Sequence, residues 1–443
     1  MRRRAFVTVS LIGVLAAAGC GEGTSDDATT ADAPAEASDD GAGHLSYDSY
    51  DEADDEADGE ARARASAYGS KEALDASSPP VPVDGDTATE PPSVGTSLNA
   101  GSVDDNERWE DYLLYRENFL RSGIAIHDVD ITNRYVVRVV DEKGVPVLGA
   151  RVELGRGDEV LSTRTTYADG RALLFPPRPS GQDTAPRYDV VVTKGDVRAE
   201  AVLDPETRAV DVTLDAAADA TPVPLDVLFL IDATGSMGDE IEQLKANMVS
   251  VAEQIDALEP RPDVRFGMTV YRDRGDEYVT RTTDFTADVG AFTGSLREVV
   301  ANGGGDTPES LNAGLHDALA SPGWRPGAIQ LVFLVADAAP HLDYADDADY
   351  AVEMDVAAQR GVKIHPIASS GLDDQGEYVM RQLAQYTTGR FNFLTYGADG
   401  VSPGDSTPHH VDDYSVLSLD ELVVQLVSDE LAALAGPAEA PAE

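Results

Sequence analysis

The chain has 443 residues, with 33 Lys plus Arg against 81 Asp plus Glu and a formal charge of −48 at pH 7. Its length allows two or three domains with at least one full α/β core. Its charge excludes docking on phosphate backbones, or on anionic lipid through a basic face, and suits cations or basic partners.

Arg2 to Arg4 precede an apolar run, residues 5–18. At about 14 residues it is shorter than the roughly 20 a spanning helix needs, so it reads as a signal peptide. Cys20 is the one cysteine, so no intramolecular disulfide forms. Residues 15–20, LAAAGC, resemble a bacterial lipobox, with Ala17 where leucine is commoner. The resemblance implies removal of residues 1–19 and lipidation of Cys20, which would hold the protein in the cell envelope, facing the periplasm or at the cell surface. The plainer alternative is secretion with a free thiol. No later apolar stretch is long enough to span.

Residues 20–107 are rich in Ala, Asp, Glu, Ser, Gly and Pro, with no Lys or Arg between 21 and 60. Too few large apolar side chains are present to offset chain entropy, so a disordered acidic tether is expected. Residues 108–133 form a connection. In it Trp109, Tyr112, Leu113, Tyr115, Phe119 and Leu120 recur at helical spacing, which predicts a short amphipathic helix packed on a folded domain.

From residue 134 to 215 apolar and polar residues alternate, with turn signals at EKG, RGD and ADG. Six or seven short strands over roughly 80 residues describe a small β-sandwich. The stretches VVDEKGVPVLGARVEL and TTYADGRALL resemble carboxypeptidase-regulatory-like and similar transthyretin-like modules, and imply a spacer without activity of its own.

Residues 224–434 alternate strand with helix: VLFLID, VRFGMTVY, QLVFLVAD, VKIHPIA and RFNFLTY as strands, separated by amphipathic segments. Continuous apolar strands between such helices predict an α/β fold, a doubly wound, mostly parallel sheet covered on both faces. Residues 435–443 read as a flexible tail.

In such a sheet ligands sit beyond the carboxyl ends of strands. Three stretches offer oxygen ligands there. The turn DATGS places Asp232, Thr234 and Ser236 at alternate positions, able to face one point. GGGDTPES lets the backbone turn tightly before Asp306, Thr307 and Glu309, and Asp337 closes LVFLVAD. Carboxylates and hydroxyls without histidine or thiolate suit a hard cation, Mg²⁺ first, with Ca²⁺ or Mn²⁺ as substitutes. For DATGS alone, helix capping serves as well as metal binding; the two further stretches favour metal. Glu309 by itself reads as a first-turn helix residue at the dipole's positive end.

DATGS resembles the Asp-x-Ser-x-Ser turn of von Willebrand factor A domains, with Thr234 in place of the first serine. GGGDTPES and Asp337 fall where that family carries its central loop and fourth-strand aspartate. The resemblance implies a metal-ion-dependent adhesion site in which a bound Mg²⁺ takes its last ligand from an Asp or Glu carboxylate of a protein partner. Which of Asp306, Thr307 and Glu309 would reach the ion stays open.

Two further groups read as structure, and one lies beside the site. Arg274-Gly275-Asp276 reads as a turn and not as an adhesion tripeptide. His409 and His410 with Asp412 and Asp413 read as a polar turn and not as a transition-metal site. His341 lies close to the metal rim. The leading expectation is a non-enzymatic, lipid-anchored, cation-dependent protein-binding module with no small-molecule substrate and no nucleic-acid partner. The alternatives are a magnesium-dependent hydrolase of phosphatase type and a structural envelope protein with a stabilising metal. The first needs a second aspartate two residues after Asp232, where Thr234 stands.

Overall fold

A computed structural model describes residues 98–177, 186–216, 221–258, 261–305, 307–397 and 404–436. All belong to one compact unit, Glu90–Glu443. The expected signal peptide, Cys20, the expected tether as far as residue 97, Asp306 and the last seven residues lie outside the described residues.

The chain enters through strand β1 (Asn99–Val103) and helix α1 (Trp109–Ser122), which ends on Gly123 in the left-handed conformation. Seven strands follow: β2 (Tyr135–Val140), β3 (Arg151–Arg156), β4 (Glu159–Thr165), β5 (Arg171–Leu174), β6 (Tyr188–Lys194), β7 (Val197–Leu203) and β8 (Ala209–Thr213). They form a three-stranded sheet, β5-β2-β8, and a four-stranded sheet, β4-β3-β6-β7. The period-two pattern explains the packing: Tyr135, Val137 and Val139 of β2 point inward to meet Val152, Leu154, Val190 and Val192. Tyr135 and Tyr188 meet edge to face, with ring centroids 5.3 Å apart.

The remaining elements are β9 (Pro224–Asp232), α2 (Gly238–Asp256), β10 (Asp263–Tyr271), β11 (Thr280–Thr286), α3 (Val289–Arg297), α4 (Leu311–Ala320), β12 (Ile329–Ala336), α5 (Tyr350–Arg360), β13 (Val362–Ala368), α6 (Asp374–Tyr386), β14 (Phe391–Thr395), β15 (Ser415–Ser418) and α7 (Leu419–Leu434). Eight strands make one mixed sheet in the order β11-β10-β9-β12-β13-β14-β1-β15. Strands β10, β9, β12, β13 and β14 run parallel, whereas β11 and β1 are antiparallel to their neighbours. The five expected parallel strands are these five.

Side chains alternate between the two faces. Phe229, Ile231, Phe333 and Val335 pack under α2, α3 and α7, whereas Leu228, Leu230, Val332 and Leu334 pack under α4, α5 and α6. Both faces are covered, which is why these strands read as unbroken apolar runs. Caps fix the helix starts: Asp349 and Asp373 accept from backbone amides of α5 and α6, and Ser418 with Glu421 forms a capping box on α7.

One boundary expected from sequence changes. The tether expected to run to residue 107 ends before Leu98, because Asn99–Val103 is a strand between β14 and β15. Its composition hides it: a Cβ on Gly101 would fall 2.4 Å from the Phe393 ring and 2.8 Å from Tyr414, so the strand fits only where it lacks bulk. The sandwich is therefore spliced between two strands of one sheet. It is also docked on that sheet's helices: Arg164 of β4 is 5 % exposed and pairs with Asp355 at 2.7 Å, and Thr165 donates to the Gln359 carbonyl.

Candidate functional site

Strand β9 is central, so its last residue is buried: Asp232 is 0 % exposed, beside Tyr271 at the end of parallel β10. Its Oδ1 accepts from the Thr234 amide at 3.0 Å and the Thr234 hydroxyl at 2.7 Å, an Asx-type turn that folds the chain back. Thr234 Oγ1 lies 3.2 Å from Ser236 Oγ. A single 3₁₀ turn, Gly235–Met237, then leads into α2. Asp232, Thr234 and Ser236 therefore share one short turn, with Ser236 on its exposed side.

Asp337 follows β12, the neighbour of β9, and its carboxyl faces the Ser236 hydroxyl. The central loop closes the site from the other side. The Gly235 amide donates to the Gly303 carbonyl at 3.1 Å, and Asn302 donates to the Ala233 carbonyl. Gly303, Gly304 and Gly305 all have positive φ. At Gly304 a Cβ would stand 2.6 Å from Glu309 Oε1 and 3.1 Å from Thr234 Cβ, so the glycine lets loop and turn touch.

Glu309 is not a first-turn helix residue. It precedes Ser310, the N-cap of α4, and is held in a bridge to Pro340 by its amide on the Ala339 carbonyl. Only 2 % exposed, its side chain turns toward Thr234 and Asp232. Thr307 is exposed and lines, with Asp337, Asp373 and Gln375, a depression of about 170 Å³. The structure thus brings together Asp232, Thr234, Ser236, Asp337 and Glu309, with Thr307 on the rim.

The carboxyls are electrostatically frustrated. Burial, and then the Asp337 charge, push Asp232 up to about 7 despite its bonds from Thr234. Burial, then Asp232, Asp273, Asp276 and Asp337, push Glu309 up to about 8. Asp337 is also raised by burial, with Glu240 adding to the effect and Ser236 opposing it. Among the described residues none of the three has a Lys, Arg or His within ion-pair distance. Asp232 Oδ2, Glu309 Oε2 and Asp337 Oδ1 are buried without a hydrogen-bond partner. Buried carboxylate oxygens are seldom left so, and an oxygen-liganded cation would satisfy all three. The donor set fits that group by its hydroxyls as well as its carboxylates. Among the described residues no cluster of three or more His, Cys, Asp or Glu alone is arranged to hold a metal.

Sequence reasoning missed the groups that hold the loop. Asp276 Oδ2 accepts from the Gly304 amide at 2.8 Å and the Asp273 amide at 3.1 Å. Asp273 accepts from the Ser310 hydroxyl at 2.8 Å. The Arg274-Gly275-Asp276 stretch is a turn, with Arg274 on Asp346 at 2.7 Å and Asp276 aimed the other way, into the loop. Polar residues in RDRGD after an apolar strand were the one available signal. Glu240 of α2 meets Ser370, which ties the first turn of α2 to the loop after β13. His341 is 8 % exposed, 3.5 Å from Asp273 and stacked on Tyr344. His409 and His410 both face the buried Glu377, while the backbone carbonyls of Asp412 and Asp413 accept from Arg108, so this set is a polar network.

A central strand closing on Asp232 at the carboxyl edge of a doubly wound, mostly parallel sheet fits a von Willebrand factor A-like α/β fold. The family model described as "von Willebrand factor A domain" matches residues 226–392. The chain is 35 % identical over 119 residues to alpha-protein kinase vwkA of Dictyostelium discoideum, a match covering 26 % of this chain and 19 % of the kinase. Among solved structures, the conserved hypothetical protein BatB of Bacteroides thetaiotaomicron is 14 % identical, with a TM-score of 0.33 and coverage of 47 % of this chain and 99 % of that one. The pilus adhesin SpaC of Lactobacillus rhamnosus GG is 14 % identical with a TM-score of 0.32, covering 58 % of this chain and 33 % of the adhesin.

Proposed function

We propose that this protein is a non-enzymatic, divalent-cation-dependent protein-binding module, held at the cell envelope through a lipid on Cys20. Von Willebrand factor A domains are generally protein-interaction modules, and the site gives that role a chemistry here. Asp232, Thr234, Ser236 and Asp337 would hold Mg²⁺, with Thr307, Asp306 or Glu309 contributing from the central loop. A bound Mg²⁺ would supply a positive charge with a ligand position left for a carboxylate from a partner's Asp or Glu. The protein's own part is to keep the hydroxyls oriented: Asp232 accepts from Thr234, and Asp276 pins the glycine loop behind it. The sandwich, read as a carboxypeptidase-regulatory-like module, serves as a support.

The observation that carries this reading is the set of three unpartnered buried carboxylate oxygens, on Asp232, Glu309 and Asp337, grouped around two hydroxyls. The partner is expected to place one exposed carboxylate within a basic rim, because a strongly acidic surface would be repelled by this chain's charge.

The test is calorimetric titration of Mg²⁺ into the EDTA-stripped full chain, beside an envelope pull-down with and without chelator. Binding that Asp232→Ala abolishes while the far-ultraviolet spectrum is kept, together with partner release in EDTA, supports the proposal. Absence of heat and of any melting shift with Mg²⁺, Ca²⁺ and Mn²⁺ overturns it. Collapse of the fold in Asp232→Ala would instead assign the site a structural role.

A further inference from the structure

At the other end of the parallel strands, a cleft of about 700 Å³ separates the outer face of the β5-β2-β8 sheet from β13 and α7. This volume falls within the roughly 300–1,000 Å³ of small-ligand sites. The cleft gathers basic side chains in a chain whose charge is strongly negative: Arg134 and Arg138 from β2 and its approach, Arg171 from β5, Lys363 from β13, and Arg390.

Two of these positive groups are already partnered. Lys363 is engaged by Glu430, and Arg390 stands 3.5 Å from Asp104. Arg171 has only a long contact, 3.8 Å, to Asp169. Arg134 and Arg138 have no carboxylate within ion-pair distance among the described residues. The Arg134 guanidinium is stacked 4.4 Å from the Trp109 ring centre, and its buried Nε has no acceptor.

His365 is the second observation. It is 2 % exposed and lines the same cleft. Its Nδ1 accepts from the Arg390 amide at 3.1 Å, so Nε2 carries the proton, and that donor has no partner. Two buried donors therefore want an acceptor in one cavity, whose lining also carries six carboxylates: Glu107, Asp211 and Asp429 are exposed, and Asp104, Asp169 and Glu430 face Arg390, Arg171 and Lys363. Burial lowers both Arg134 and His365; the Asp104 charge opposes the first effect and Arg171 adds to it, while Lys363 and Arg390 add to the second.

We propose that this cleft binds a small organic oxyanion, its carboxylate or phosphate head against Arg134 and Arg171 and its apolar body along Val136, Leu173 and Leu426. Arg138 stands opposite Arg171 across the β2–β5 ladder, with Arg134 further along the same strand; guanidiniums suit a bidentate oxyanion, and the apolar walls reward a carbon body. The ligand would sit between sandwich and sheet and clamp the two together. This site is separate from the candidate cation site and does not rest on it.

The probe is phenylphosphate, with phenol as its neutral control, titrated calorimetrically into the full chain in EDTA so that no metal bridges the phosphate. The expected result is saturable phenylphosphate binding tighter than about 1 mM, with a raised melting temperature and no binding of phenol. Arg171→Gln, at an exposed position that the fold tolerates, and Arg134→Gln are each expected to weaken it at least tenfold, with Mg²⁺ binding unchanged. No phenylphosphate binding, equal binding of phenol, or affinity indifferent to Arg171→Gln overturns the proposal.

Discussion

Glu377 offers a quantitative test of how the α/β domain is held to the segment that precedes the sandwich. The residue is 1 % exposed on α6, with His409 Nδ1 at 3.3 Å, the His410 amide at 3.1 Å and Arg381 at 3.3 Å. Arg381 in turn grips Asp105 through two bonds of 3.0 and 2.7 Å. Burial alone would raise the Glu377 carboxyl, but the bond and charge of His409, the His410 amide and the Arg381 charge bring it from 4.5 to about 2. At 1.36 kcal/mol per unit that depression is worth about 3 kcal/mol. The folded pKa lies below the unfolded one, so the contribution is full above pH 4.5 and is lost as the pH falls from there toward 2. Glu377→Gln keeps the shape and removes the charge. In urea unfolding followed by circular dichroism, the variant should be about 3 kcal/mol less stable at pH 7, and the gap should close steadily between pH 4.5 and 2.5. A gap below about 1 kcal/mol at pH 7, the value of an ordinary exposed pair, or one that ignores pH, would refute the reasoning.

Two further outcomes concern the candidate cation site. Gly304→Ala puts a Cβ at φ +66° within 2.6 Å of Glu309 Oε1. It should lower the melting temperature modestly, through about 1–3 kcal/mol of backbone strain, and weaken Mg²⁺ binding at least tenfold in calorimetry; unchanged affinity would mean that the loop does not border the ion. With Asp232 raised to about 7 and Glu309 to about 8, protons compete with the cation. Mg²⁺ affinity should therefore rise from pH 6 to pH 8, with proton release measurable in buffers of different ionisation heat, and a flat profile would refute the coupling.

Legibility in the sequence followed the physics of burial. Strands β9, β12 and β13 were readable because both faces are covered, so nearly every side chain is apolar. Strand β11 was not: it is the sheet's outer edge, and Thr280, Thr282 and Thr283 satisfy an edge without an apolar signal. Strand β1 was hidden because the Phe393 and Tyr414 rings close on Gly101 and leave no room for a side chain there. At the site, Asp232, Thr234 and Ser236 were legible because one turn holds all three. Glu309 was misread because its direction comes from its bridge to Pro340, a residue from another loop. Asp273 and Asp276 were missed for the same reason, since what they hold, the Ser310 hydroxyl and the Gly304 amide, lies far away in the chain.

The position of β1 also decides how the molecule can face a partner. Asn99 sits opposite Thr395, the carboxyl end of parallel β14, so the chain crosses into the sheet at the edge where Asp232 and Asp337 lie. Four strand spacings separate β1 from β9 along that edge, about 19 Å sideways. Anything tethered through the preceding residues therefore leaves from the flank of the candidate binding face and not from its back.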